Sequence, residues 1–195
     1  VKFKHDGAPF TANTRYGLLY KFSDDKENQE STGRFGTGFL TTHCLSKIVT
    51  IESNMYLNEE CTELCVFEVT MYRDGLISSE LIEGLKKMRD SEKFFKQTFD
   101  WTTFTYHVNS DSGREAIKLG VQNFHENITQ TMLFCKELNS VELNDNGTII
   151  TIKRLPQHFI SENIVLSKYE IINSNNSCVR RFLHSHYEGP SKELS

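Results

Sequence analysis

Gly33-Arg34-Phe35-Gly36-Thr37-Gly38-Phe39 is the stretch on which the reading of this chain turns. Its three glycines stand directly before a segment, running to about Ser46, that reads as a helix. Glycine lets the backbone take positive φ and leaves no Cβ to hold a ligand away. The first turn of a helix leaves its N–H groups unpaired and carries roughly half a positive charge. Together these features make an anion site suited to phosphate. The order of the glycines is neither that of a Walker loop, which needs Gly-Lys-Ser/Thr, nor that of a dinucleotide fingerprint. These residues alone leave a second reading open, in which the glycines serve only the turn into the helix.

Upstream, residues 21–33 are almost wholly polar, so a mobile loop is expected where nothing buried offsets the entropy of ordering. Before it, Val1, Phe3 and His5 alternate with Lys2 and Lys4 as in a half-buried strand. Asp6-Gly7-Ala8-Pro9-Phe10 breaks that strand, and Thr11 is placed to cap a short helix reaching Tyr20. Downstream, strands are expected at 48–53 and 63–71, followed by a turn at Arg73-Asp74-Gly75. Leu81, Ile82, Leu85 and Met88 repeat at helical spacing, which predicts a helix over Glu80–Lys96 capped by Ser78 or Ser79. Residues 101–108 are β-branched and aromatic and read as a strand.

Composition shifts at Asn109-Ser110-Asp111-Ser112-Gly113, which marks a boundary between 1–110 and 111–195. Beyond it a helical region is expected over 114–138. Strands follow at 141–143 and 148–153, joined by the hairpin turn Asn144-Asp145-Asn146-Gly147, and then at 164–172 and 178–185.

The chain has 195 residues, 37% of them hydrophobic, enough for a packed core and too many for a disordered chain. No apolar run is long enough to span a membrane and no secretory leader is visible. The chain opens without Met, inside a strand, and reads as a piece of a longer protein. A net charge of −4 gives nucleic-acid binding no support. Five scattered cysteines read as reduced thiols in an intracellular protein, cytoplasmic or nuclear.

The segment Gly33–Phe39 resembles the G-x-x-G-x-G-F box of the GHKL ATPases, the superfamily of gyrase, the ninety-kilodalton heat-shock chaperone, sensor histidine kinases and MutL. His5-Asp6-Gly7-Ala8-Pro9-Phe10-Thr11 resembles that family's D-x-G-x-G-M-T box, and Trp101-Thr102-Thr103-Phe104-Thr105-Tyr106 its G-T-x-F-x-F strand. The resemblance implies an α+β fold. Residues 1–110 would form a two-layer α/β sandwich, a mixed sheet covered by helices, and 111–195 would begin a second, transducer-like α/β region. It also implies that ATP with Mg²⁺ is bound. Phosphates would meet Gly33, Arg34, Phe35, Gly36, Thr37, Gly38 and Phe39, with Lys26 reaching in from residues 21–32 in the place of the family's lid. The adenine would lie near His5, Asp6, Gly7 and Thr102.

Three departures qualify what the resemblance implies. His5 stands where the family has its adenine-reading Asp, and Asp6 lies one residue later. Three readings of this stay open: a twist that brings Asp6 round, a His5 ring nitrogen that accepts from the adenine amino group, or weakened base readout. Pro9 and Trp101 replace family glycines. The family's Glu general base and Mg²⁺-binding Asn sit on a helix that would precede Val1, so this stretch alone is expected to hydrolyse ATP poorly. The alternative is an inactive nucleotide-sensing or scaffold module of the same fold. Other domains of the parent protein are the expected partners, and a homodimer is compatible with either reading.

Overall fold

Alternation of apolar and polar side chains builds the first sheet. The computed structural model describes residues 1–20, 41–58, 60, 62–173 and 176–185. In it, β1 (Lys2–His5), β2 (Ile48–Tyr56), β3 (Leu64–Tyr72), β4 (Lys93–Phe95) and β5 (Thr102–Tyr106) lie in the order β1-β5-β2-β3-β4. Val49, Ile51, Ser53 and Met55 point inward from β2, and Cys65, Phe67, Val69 and Met71 answer them from β3. Fully excluding large apolar side chains from water stabilises a fold by about 1.5–3 kcal/mol each.

The expected mixed sheet is corrected: every ladder among the described strands is antiparallel. The parallel pairing found there is the single bridge between Phe10 and Met55. β2 and β3 are joined by residues 57–63, too short for the crossover of a dozen or more residues that a parallel pair needs.

Two helices supply the second layer. α1 (Ala12–Tyr20) starts as expected, because Thr11 Oγ1 accepts the Thr14 N–H at 3.1 Å and Thr14 Oγ1 accepts the Thr11 N–H at 2.7 Å. Leu19 enters the core beside Phe104, Tyr106 and Met88. Arg15 pairs with Glu92 and lies over the rings of Phe67 and Phe94 at 5.4 and 5.5 Å.

α2 (Ser78–Asp90) differs from expectation at both ends. Its N-cap is Ile77, with no side-chain cap, while Glu80 accepts the Leu76 N–H at 2.7 Å. It stops at Asp90 rather than Lys96. Ser91 Oγ donates to Met88 O at 2.7 Å and accepts the Thr70 N–H at 2.9 Å, which turns the chain onto the edge of β3 as β4. Gly84 lets α2 approach the sheet closely, since a Cβ there would collide with Tyr72 O.

The chain divides into two compact units, Val1–Lys118 and Leu119–Ser195, and the split falls inside α3 (Asp111–Phe134). The second unit is an α+β assembly of its own. β6 (Ser140–Asp145) and β7 (Thr148–Arg154) meet at a two-residue turn in which Asn146 and Gly147 have φ of 51° and 92°, the primed hairpin geometry that Asn-Gly favours. In the same sheet, β8 (His158–Ser161), which the sequence did not announce, lies beside β9 (Ile164–Asn173). β9 also pairs with β7 on one side and with β10 (Ser177–Ser185) on the other. β8 continues the line of β7 along β9 after Pro156 interrupts it.

Met132, Ile152, Tyr169 and Ile171 form the second core, with Phe124 and Ile128 of α3 against it. The Arg154 guanidinium donates to the carbonyls of Met132, Cys135 and Leu138 and lies 5.5 Å over the Tyr169 ring. It thereby closes the end of α3 at Phe134, short of the expected limit at residue 138.

Candidate functional site

The ladder between β1 and β5 decides which predicted residues meet. It sets Phe3 opposite Phe104 and His5 opposite Thr102. Directly opposed residues project to the same face of an antiparallel pair, so two motifs far apart in sequence are brought side by side. Phe104 is a core residue, which places His5 and Thr102 on the face that carries the helices. Toward β1 that face is open: Phe3 is 55% exposed and His5 half-buried. The rings of Phe3, His5 and Phe104 form a ledge there, with centroids 5.8 to 6.1 Å apart and the imidazole roughly parallel to Phe104 at 25°.

His5 is held by its own turn. Its Nδ1 accepts the Gly7 N–H at 3.1 Å, so in the neutral ring the proton sits on Nε2. Burial lowers its pKa below the ordinary value of 6.5, against the smaller opposing effect of the Asp6 carboxylate. In this arrangement the neutral ring has no nitrogen free to accept from an amino group. Asp6 is exposed, one residue past the end of β1. A Cβ on Gly7 would lie 2.9 Å from His5 Nδ1, so the absence of a side chain at Gly7 is what permits the ring to fold back.

Thr102 is 5% exposed and its hydroxyl lies 2.6 Å from Ser53 Oγ on β2. Ser53 belongs to none of the three motifs. Its signal was a hydroxyl at an inward position of the run Ile51, Ser53, Met55, where burial calls for a partner. Beyond β1, Phe10 pairs with the end of β2, donating its N–H to Asn54 O at 2.9 Å and accepting from Tyr56 N at 2.8 Å. Residues 6–9 therefore pass across the Thr102 end of β5.

Lys26, Gly33, Arg34, Phe35, Gly36, Thr37, Gly38 and Phe39 lie outside the described residues. What flanks them is held by Arg73, which the motifs also did not mark. Arg73 donates through Nη2 to Leu19 O at 2.9 Å and Leu18 O at 3.3 Å, the last turn of α1, and its Nη1 lies 3.4 Å from His43 Nε2. His43 belongs to a short 3₁₀ helix, Thr42–Cys44. Partial burial lowers the Arg73 pKa from its usual value, and the helix-end carbonyls compensate its charge.

Among the described residues no group of three His, Cys, Asp or Glu is placed to hold a metal ion, and no helix is long and apolar enough to cross a membrane. A shallow groove in the second unit is lined by one face of α3, including Asn123, Phe124 and Asn127, and by none of the predicted residues. Comparison with known proteins found no match to a family model, a curated sequence or a solved structure.

Proposed function

We propose that this chain is the nucleotide-binding part of a GHKL-type ATPase and binds ATP accompanied by Mg²⁺. In this reading the backbone amides of Gly33–Gly38 receive the phosphates, Arg34 and Lys26 offset their charge, and the base lies on the ledge beside His5 and Thr102. One observation carries it: the pairing of His5 with Thr102 on the helix-bearing face of the sheet. A chance likeness of three short motifs would have no reason to place the first and the last in adjacent register. The described residues do not supply a metal cluster, so no step is assigned to Mg²⁺. The resemblance assigns the water-activating Glu to a helix ahead of Val1, and turnover is not proposed for these residues alone.

Thermal unfolding with a non-hydrolysable ATP analogue and Mg²⁺ tests the reading. A ligand at a hundred times its dissociation constant adds about 2.7 kcal/mol when only the native state binds. Gly36→Val is expected to remove the shift, because a β-branched side chain disfavours positive φ and blocks the approach of phosphate. A second reading, a scaffold that keeps the fold without the ligand, draws on the His5–Gly7 hydrogen bond, which leaves the expected acceptor at this position engaged. It predicts no shift at millimolar analogue.

A further inference from the structure

The polarity of the base-reading position is reversed from what its motif implies. His5 Nδ1 is committed to the Gly7 N–H at 3.1 Å, inside a turn that a side chain at Gly7 would disrupt. Its Nε2 is then an N–H donor, on an imidazole fixed against Phe104 and half open to solvent. Thr102 offers little to a ligand edge, being 5% exposed and engaged with Ser53 at 2.6 Å. Asp6, the one carboxylate of the motif, is exposed beyond the strand end. A donor cannot pair with the amino group of adenine, which is itself a donor, but it can pair with a ring nitrogen of the purine.

We propose that His5 reads the base through its Nε2–H and requires an acceptor on the purine ring, so that the site takes purine nucleotides without depending on a six-amino group. This rests on the nucleotide-binding reading above. Three consequences follow for ligands. Purine riboside triphosphate, which lacks the amino group, binds as ATP does. An analogue that replaces the accepting ring nitrogen by C–H leaves the imidazole N–H unpaired and binds about tenfold more weakly. An acidic side chain in place of His5 restores dependence on the amino group.

The experiment is a titration of the intact chain, followed by calorimetry, with five magnesium-loaded ligands: ATP, purine riboside triphosphate, 1-deaza-ATP, 3-deaza-ATP and 7-deaza-ATP. The expected result is that the first two agree within about twofold and that one deaza analogue is weakened about tenfold. His5→Asp, folded as judged by circular dichroism, is expected to favour ATP over the amino-free analogue. Should that variant fail to fold, the five wild-type titrations decide alone. Weaker binding of purine riboside triphosphate, with all three deaza analogues equal to ATP, overturns the proposal, as does equal binding of all five. Binding of none of them at millimolar concentration overturns the nucleotide reading itself, a different outcome from either.

Discussion

A single histidine carries the pH behaviour expected of the site. Burial holds His5 below its ordinary value of 6.5, so between that folded value and 6.5 the unfolded chain binds more protons than the folded one. Stability then rises with pH through this window and falls as the solution is acidified. A protonated ring would also set its own Nδ1–H against the Gly7 N–H it now accepts from. His5→Asn keeps an acceptor for Gly7 and cannot titrate. The wild type is therefore expected to lose more melting temperature than His5→Asn between pH 7 and pH 5, measured by thermal melts of both in parallel. A matching loss in the two proteins would show that the imidazole is not the group responsible. At this scale the family resemblance set His5 and Thr102 around one base, and the ladder pairs them directly, a register that neither motif encodes. The sequence could not show the hydrogen bond from Gly7 or the partner hydroxyl of Ser53. Both depend on geometry that forms only when β1, β5 and β2 lie together.

At the scale of elements, Arg73 is the joint between α1 and the region after residue 40. Its donation to Leu18 O and Leu19 O satisfies carbonyls that a helix end leaves unpaired. Arg73→Met keeps much of the aliphatic stem and removes the donors. Leaving such groups unsatisfied costs about 1–3 kcal/mol, reduced here because the cost of partly desolvating the guanidinium disappears with it. Chemical denaturation is expected to show a loss of about 1 kcal/mol, at the low end of that range, with faster amide exchange confined to α1 and the 3₁₀ turn. A loss spread evenly over β2 and β3 would contradict a capping role. The long strands β3, β9 and β10 were legible nearly to their ends, because nine or ten residues of strand pattern do not fit a helix, whereas β2 was read only to residue 53 and runs on to Tyr56. β4 and β8, three and four residues long, were not. Periodicity needs more residues than that, and both owe their pairing to an edge already made by a longer strand. The same cause shortened α2: helical spacing continued past Asp90, but Ser91 had a tertiary partner on β3.

For the whole molecule, two separate cores imply two separate responses to damage. Ile51 and Ile152 are both fully buried, one in each core. Ile→Val at either removes one methylene and typically costs about 0.5–1.5 kcal/mol. Ile51→Val is expected to lower hydrogen-exchange protection in β2, β3 and β5 while leaving β7 and β9 unchanged, and Ile152→Val to do the reverse. The shift in composition at residues 109–113 signalled a second region. That the split falls further on, within α3, was hidden because helical periodicity runs through Asp111–Phe134 without a break. α3 is thus the one element both units share, and its amides make the prediction discriminating. If the units open independently, the first substitution should loosen only amides near Gly113, where α3 lies so close to Leu45 O that a Cβ would collide with it. The second should loosen only those around Met132, which packs with Ile152. Loss of protection along all of α3 from either substitution would mean that the helix passes unfolding between the two cores.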